Sequence, residues 1–149
     1  MILIDGKKQA ADLRKELKEE VSNLKSKYKK VPGLTVILIG DMTPSQIYVR
    51  NKEKSANEIG LKSEVIKYPE SIDENTVLNK INELNNDTSV SGILVQLPLP
   101  KQISKQKIIE AISPTKDVDG LHPMNVGNLS SGYQGSIPCT PLGLSLIHI

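Results

Sequence analysis

Tyr48 and Lys52 lie four residues apart in SQIYVRNKEK, so on a helix they point into the same space. At about 100° per residue, Ser45, Tyr48, Val49, Lys52, Ser55, Ala56 and Ile59 share one side, opposite Arg50, Glu53, Lys54, Asn57 and Glu58. Lys52 therefore sits near the middle of the apolar side. Two readings stay open. Either the lysine lays its stem on apolar surface with its ammonium at the rim, or it faces a ligand. In the second case partial desolvation brings its titration nearer neutrality and suits it to general acid or base work. An arginine would not serve, because its proton is not removable. A tyrosine face one turn away would stack on a flat ligand.

Gln96 is a second anomaly, a polar side chain near the end of the apolar run GILVQL and just before Leu97-Pro98-Leu99-Pro100. In open α/β sheets ligands bind outside the carboxyl ends of strands, where Gln96 is expected. It is either an amide satisfied by loop backbone or one that holds a ligand or orients a catalytic group. KDVDG, residues 116–120, offers two carboxylates beside a glycine. Read as a plain turn, Asp119-Gly120 needs no function, but a carboxylate there would also accept two parallel hydrogen bonds from an N–H/NH2 edge. A calcium loop is rejected, since His122 stands where glycine is needed. His122 and His148 lack partners at metal-ligand spacing, and Cys139 has neither a nearby histidine nor a basic setting. Ser45 is placed to cap or hydrogen-bond at the start of the Lys52 helix.

The elements that must hold these residues alternate between helix and strand. Leu13, Leu17, Val21, Leu24 and Tyr28 mark one face of a helix over 7–28, with Asp5 or Gly6 near its start and Pro32-Gly33 breaking it. LTVILIG reads as a strand buried on both faces. The Lys52 helix is expected to open on a capping box, with Thr43 as N-cap, Pro44 at the first helical position and Gln46 three residues on, and to close at Gly60. LKSEVIKYP reads as a more exposed strand. A helix over 73–84 carries Val77, Leu78, Ile81 and Leu84 inward, residues 92–97 form a second buried strand, and a short helix carries Ile108, Ile109 and Ile112. Residues 113–141 are expected to be loop, with Pro141 opening a further helix. This order predicts an α/β fold, a three-layer domain with a mainly parallel sheet and helices on both faces.

At 149 residues the chain is about one domain in size. Its 19 basic residues are interleaved with 17 acidic ones, and it has no Trp and no Phe, which argues against a base-stacking nucleic-acid surface. No apolar run is long enough to span a bilayer, so no membrane partner is expected. The N-terminus lacks a basic region followed by an apolar core, and the single Cys139 cannot pair internally; both fit a reducing cytosol and a cytoplasmic location. No GxGxxG and no P-loop occurs.

Taken together and in order, DGK, VILIGDMTPSQIYVRNKEK, SGILVQLPLP, KDVDGLHPMNVG and IPCTPLG resemble the N-terminal catalytic domain of bifunctional methylenetetrahydrofolate dehydrogenase/methenyltetrahydrofolate cyclohydrolase. The resemblance covers nearly the whole chain, from about Ile4 to Gly143. It implies that Lys52 is the central catalytic residue, Tyr48 stacks on the folate, Gln96 interacts with the lysine and helps set its state, Asp119 holds the 2-amino-4-oxo edge of the pterin, and Ser45 belongs to the substrate site. The implied activities are oxidation of 5,10-methylenetetrahydrofolate with NADP, then hydrolysis of the methenyl product to 10-formyltetrahydrofolate, by a homodimer in one-carbon metabolism. A non-catalytic folate-binding or interaction module of the same fold is the alternative, which the pairing of Lys52 with Gln96 disfavours. The resemblance further implies that residues 1–140 are the catalytic domain and that 141–149 begin a truncated linking helix. The NADP site is expected in a missing Rossmann-type C-terminal domain. The terminal LSLIHI departs from the family's linking helix, which makes it a candidate non-native tail.

Overall fold

The computed structural model describes residues 5–145. The apolar start at 2–4, His148 and the end of the tail lie outside the described residues. Helix α1 (Gly6–Tyr28) starts where the sequence places it, because the Asp5 side chain accepts from the Lys8 backbone N–H at 3.0 Å. It ends before Pro32 is reached, at Lys29, which takes the left-handed conformation with φ 56° and donates its N–H to Lys25 O. Strand β1 (Gly33–Ile39) follows, then α2 (Thr43–Ile59), β2 (Lys62–Tyr68), α3 (Glu74–Asn86), β3 (Gly92–Val95), α4 (Lys105–Ala111), α5 (Pro123–Ser130) and α6 (Cys139–Ser145).

The three strands form a parallel sheet in the order β2-β1-β3. β1 is central, and its alternating side chains feed two separate cores. Ile37 and Ile39 join Val77, Ile81, Ile93 and Ile108 on the side of α3 and α4, whereas Val36 and Leu38 meet Val49 and Leu94 on the side of α2. Helices therefore cover both faces, and the continuous apolar run of β1 follows from burial on both sides. β2 is an edge strand, half exposed as expected. Each fully buried isoleucine contributes roughly 2–3 kcal/mol of transfer free energy.

Four expectations need correction. Thr43 is not the cap of α2: it is already helical, Met42 precedes the helix, and no side chain caps the end. The Gln46 amide instead reaches back to Asp41 O at 3.3 Å, and Pro44, which needs no N–H partner, holds the first turn. β3 stops at Val95 rather than Leu97, because Pro98 and Pro100 have no N–H to offer a ladder. Gln96 N–H still donates to Ile37 O at 2.9 Å, and the Leu97–Pro98 peptide is cis. The segment 113–141 is not all loop. α5 lies within it, opened by Pro123 and by His122, whose Nδ1 accepts from Met124 N–H at 3.1 Å. Its apolar residues Met124, Val126 and Leu129 stay exposed while Asn125 is buried, so no apolar stripe announced it. Finally, the α1 stripe buries only Val21; Leu13, Leu24 and Tyr28 remain exposed. Among the described residues no helix is long and apolar enough to cross a membrane.

Candidate functional site

The face of α2 that bears Lys52 divides in two. Ser45 and Val49 turn into the molecule, and Tyr48, Lys52, Ser55 and Ile59 border an open cavity of about 970 Å3, whose floor the buried Ala56 also touches. The steps of four, three and four residues keep this second set on one line along the helix. Lys52 is neither a plain rim lysine nor a core residue. It is half-buried, and its Nζ donates to Gln96 Oε1 at 3.1 Å.

Gln96 arrives from the other wall. β3 carries it to the carboxyl end of the sheet, and its Nε2 donates to Leu97 O at 2.8 Å. Since the amide nitrogen is committed to that carbonyl, its oxygen faces Lys52. The bond joins residues 44 apart in sequence and ties α2 to the end of β3.

The two carboxylates of KDVDG go separate ways. The chain runs beside β3 here, with Ile93 N–H donating to Lys116 O at 2.7 Å and a parallel bridge between Ile93 and Asp117. Asp117 is buried and bonded to protein, whereas Asp119 is half-buried and borders the cavity. Burial raises the Asp119 pKa above its ordinary value; the Lys52 charge pulls it down and the Asp117 charge pushes it up. Asp119 therefore lies within electrostatic reach of Lys52. Tyr48 is 62% exposed, so its ring is free to take a flat partner.

Three sequence-derived candidates behave otherwise. Ser45 is buried in the first turn of α2 and does not border the cavity. His122 caps α5. Cys139 lies exposed at the start of α6, on the rim of the cavity. The sequence reading missed the apolar walls, Leu34, Leu94, Val118 and Leu121, and the rim cation Arg14, whose Nε lies 3.4 Å from Glu58 Oε2. Leu34 and Leu94 were legible only as strand residues, because which face of a strand borders a cavity depends on what packs against it.

The family model for the tetrahydrofolate dehydrogenase/cyclohydrolase catalytic domain matches residues 4–119, the stretch that holds Tyr48, Lys52, Gln96 and Asp119. The chain belongs to that family. It is 73% identical over 147 residues to the bifunctional protein FolD of Pelagibacter ubique, covering 99% of this chain and 52% of the relative. Against the bifunctional protein FolD of Staphylococcus aureus it is 54% identical over 142 residues, covering 95% and 49%. The bifunctional methylenetetrahydrofolate dehydrogenase/cyclohydrolase of Campylobacter jejuni superposes with a TM-score of 0.94 at 51% identity, covering 97% of this chain and 51% of that one. The Trypanosoma brucei enzyme, solved with NADP and an inhibitor, gives 0.93 at 36% identity, covering 98% and 50%. The chain spans about half the length of the curated relatives it matches.

The turn from β1 into α2 does not fit the pyrophosphate of a dinucleotide. It leads into a helix as a phosphate-binding turn would, but carries one glycine, Gly40, and places Pro44 in the first turn of the helix. A pyrophosphate needs several free backbone N–H groups at such a turn.

Proposed function

We propose that this chain is the folate-binding catalytic domain of an enzyme that oxidises 5,10-methylenetetrahydrofolate and hydrolyses the methenyl product to 10-formyltetrahydrofolate. The observation that carries the reading is the hydrogen bond from Lys52 to Gln96 inside a cavity that Tyr48 and Asp119 also border. In this reading the Asp119 carboxylate accepts from the 2-amino group and N3–H of the pterin, two parallel charge-assisted bonds that fix the ring in its plane. Tyr48 stacks on a flat part of the folate. The one-carbon bridge then lies toward Lys52.

The chemistry asked of Lys52 is proton transfer. Water adds its oxygen to the methenyl carbon and loses a proton to the neutral amine of Lys52; the resulting ammonium returns a proton to N5 as the bond from that carbon to N5 breaks. The carbinol oxygen gives up the second water proton to solvent as its carbonyl forms, so the formyl group is left on N10 and the released proton carries off the positive charge of the methenyl cation. Gln96 turns its NH2 to Leu97 O and its oxygen to Lys52, so it orients the amine as an acceptor. Hydride transfer needs a nicotinamide. We assign it, as NADP, to the half of the protein that the relatives have beyond this match.

The test is a protein carrying this chain followed by the second half of the Pelagibacter ubique relative, as wild type and as Lys52→Met. The variant should lose at least about 100-fold in cyclohydrolase rate, the scale of a general acid or base, and still bind 5-formyltetrahydrofolate. Full cyclohydrolase activity in Lys52→Met would overturn the assignment.

A further inference from the structure

Asp119 faces the cavity only if the backbone beside it is held, and the hold lies one residue pair away, in a buried polar cluster with no access to the cavity's ligand space. Asp117 and Asn125 are 3% and 4% exposed. A single oxygen, Asp117 Oδ2, accepts both from His122 N–H at 2.8 Å and from Asn125 Nδ2 at 2.9 Å. The Asn125 amide also donates to Pro114 O at 2.9 Å, so one side chain joins the beginning of the segment, its middle and helix α5. Asp117 N–H donates to Ser113 O at 3.0 Å, and on the other side of the segment Lys116 Nζ donates to Leu84 O at 2.8 Å and to Asp87 O at 2.7 Å. The far end is set at Gly120, where φ is +65° and an added Cβ would meet Ser136 O at 2.6 Å. Asp119 thus lies between two fixed points, Asp117 and Gly120.

We infer that Asn125 is a positioning residue for Asp119: it fixes Asp117, and through the two peptide units between them it aims the Asp119 carboxylate at the amino edge of the pterin. The inference rests on the pterin reading of Asp119. Burying an under-paired carboxylate is costly, so without the Asn125 donor Asp117, left with the His122 N–H alone, rotates toward other donors or water and carries the backbone with it. Bidentate recognition is sensitive to such a shift, because both bonds depend on the plane of the carboxylate.

The experiment is a double-mutant cycle on this chain, read by isothermal titration with 5-formyltetrahydrofolate and with its analogue bearing hydrogen in place of the 2-amino group. Wild type should prefer the 2-amino compound. Asn125→Ala should shrink that preference by about tenfold, the scale of one charged hydrogen bond, and should not change it further in an Asp119→Ala background. Asp117→Asn is the conservative variant: it keeps an oxygen acceptor for both donors, so it should hold the preference to within about twofold. It remains readable if Asn125→Ala fails to fold. A merely structural Asn125 would weaken both compounds alike and leave their ratio unchanged, which would overturn the inference, as would loss of the preference in Asp117→Asn. If wild type bound neither compound, the pterin reading would fall first and the inference with it.

Discussion

At the scale of single residues, the site rests on side chains kept in unfavourable surroundings. Asp119 is the clearest case, since burial is the largest cause of its raised pKa. The folded chain therefore holds that proton more firmly than the unfolded chain. Stability from this group is fully present below the unfolded pKa, near 3.8, and is lost as pH rises through the higher folded value. Asp119→Asn removes the charge that burial opposes. Its urea midpoint at pH 7 should lie above that of wild type, and the gap should close as the pH drops below 3.8. A gap of equal size at both pH values would show that carboxylate desolvation is not the cause. The same substitution should weaken pterin binding, because an amide oxygen is a weaker acceptor than a carboxylate and its NH2 opposes the pterin donors. Stability and binding would then move in opposite directions at one residue.

At the scale of elements, α2 and α5 contrast in how their glycines are used. Gly60 ends α2 with φ +87° and donates its N–H to Ala56 O and Asn57 O; the nearest obstacle to a Cβ is Val21 Cγ1 at an ordinary 3.6 Å. Gly127 lies inside α5 with nothing within 4 Å of a Cβ and no left-handed φ. Gly60→Ala should therefore cost about 1 kcal/mol through backbone strain alone, whereas Gly127→Ala should stabilise by about 0.5–1 kcal/mol through helix propensity. Urea denaturation of the two variants measures both, and effects of the same sign would contradict the assigned conformations. The end of α2 was legible in the sequence because a glycine after an amphipathic run has one common use. Its start was misread, since Thr43 and Gln46 satisfy the capping pattern but Thr43 already lies in the helix. α5 was hidden because Asn125, a polar residue, is the one it buries, and hydrophobic periodicity cannot reveal such a helix.

At the scale of the whole molecule, stability is concentrated around the sheet and thins toward α1. Ile81 is fully buried between α3 and β1, while Leu24 on α1 is 40% exposed. Ile81→Ala should lose about 2–5 kcal/mol and Leu24→Ala less than about 0.5 kcal/mol, both read from urea unfolding of this chain. Comparable losses would mean that the α1 stripe is covered in solution. The alternation of strands and helices, the double burial of β1, the shared direction of Tyr48 and Lys52, and the family were all legible in the amino-acid order. These follow from local periodicity and from motifs read in order, and neither needs a distant partner. Tertiary structure alone decided that Gln96, 44 residues from Lys52, turns its oxygen to that lysine. It also decided that Asp119 and not Asp117 borders the cavity. Two carboxylates two residues apart look alike in sequence; Asn125 and the N–H of His122 meet one of them, and the other is left to face the cavity.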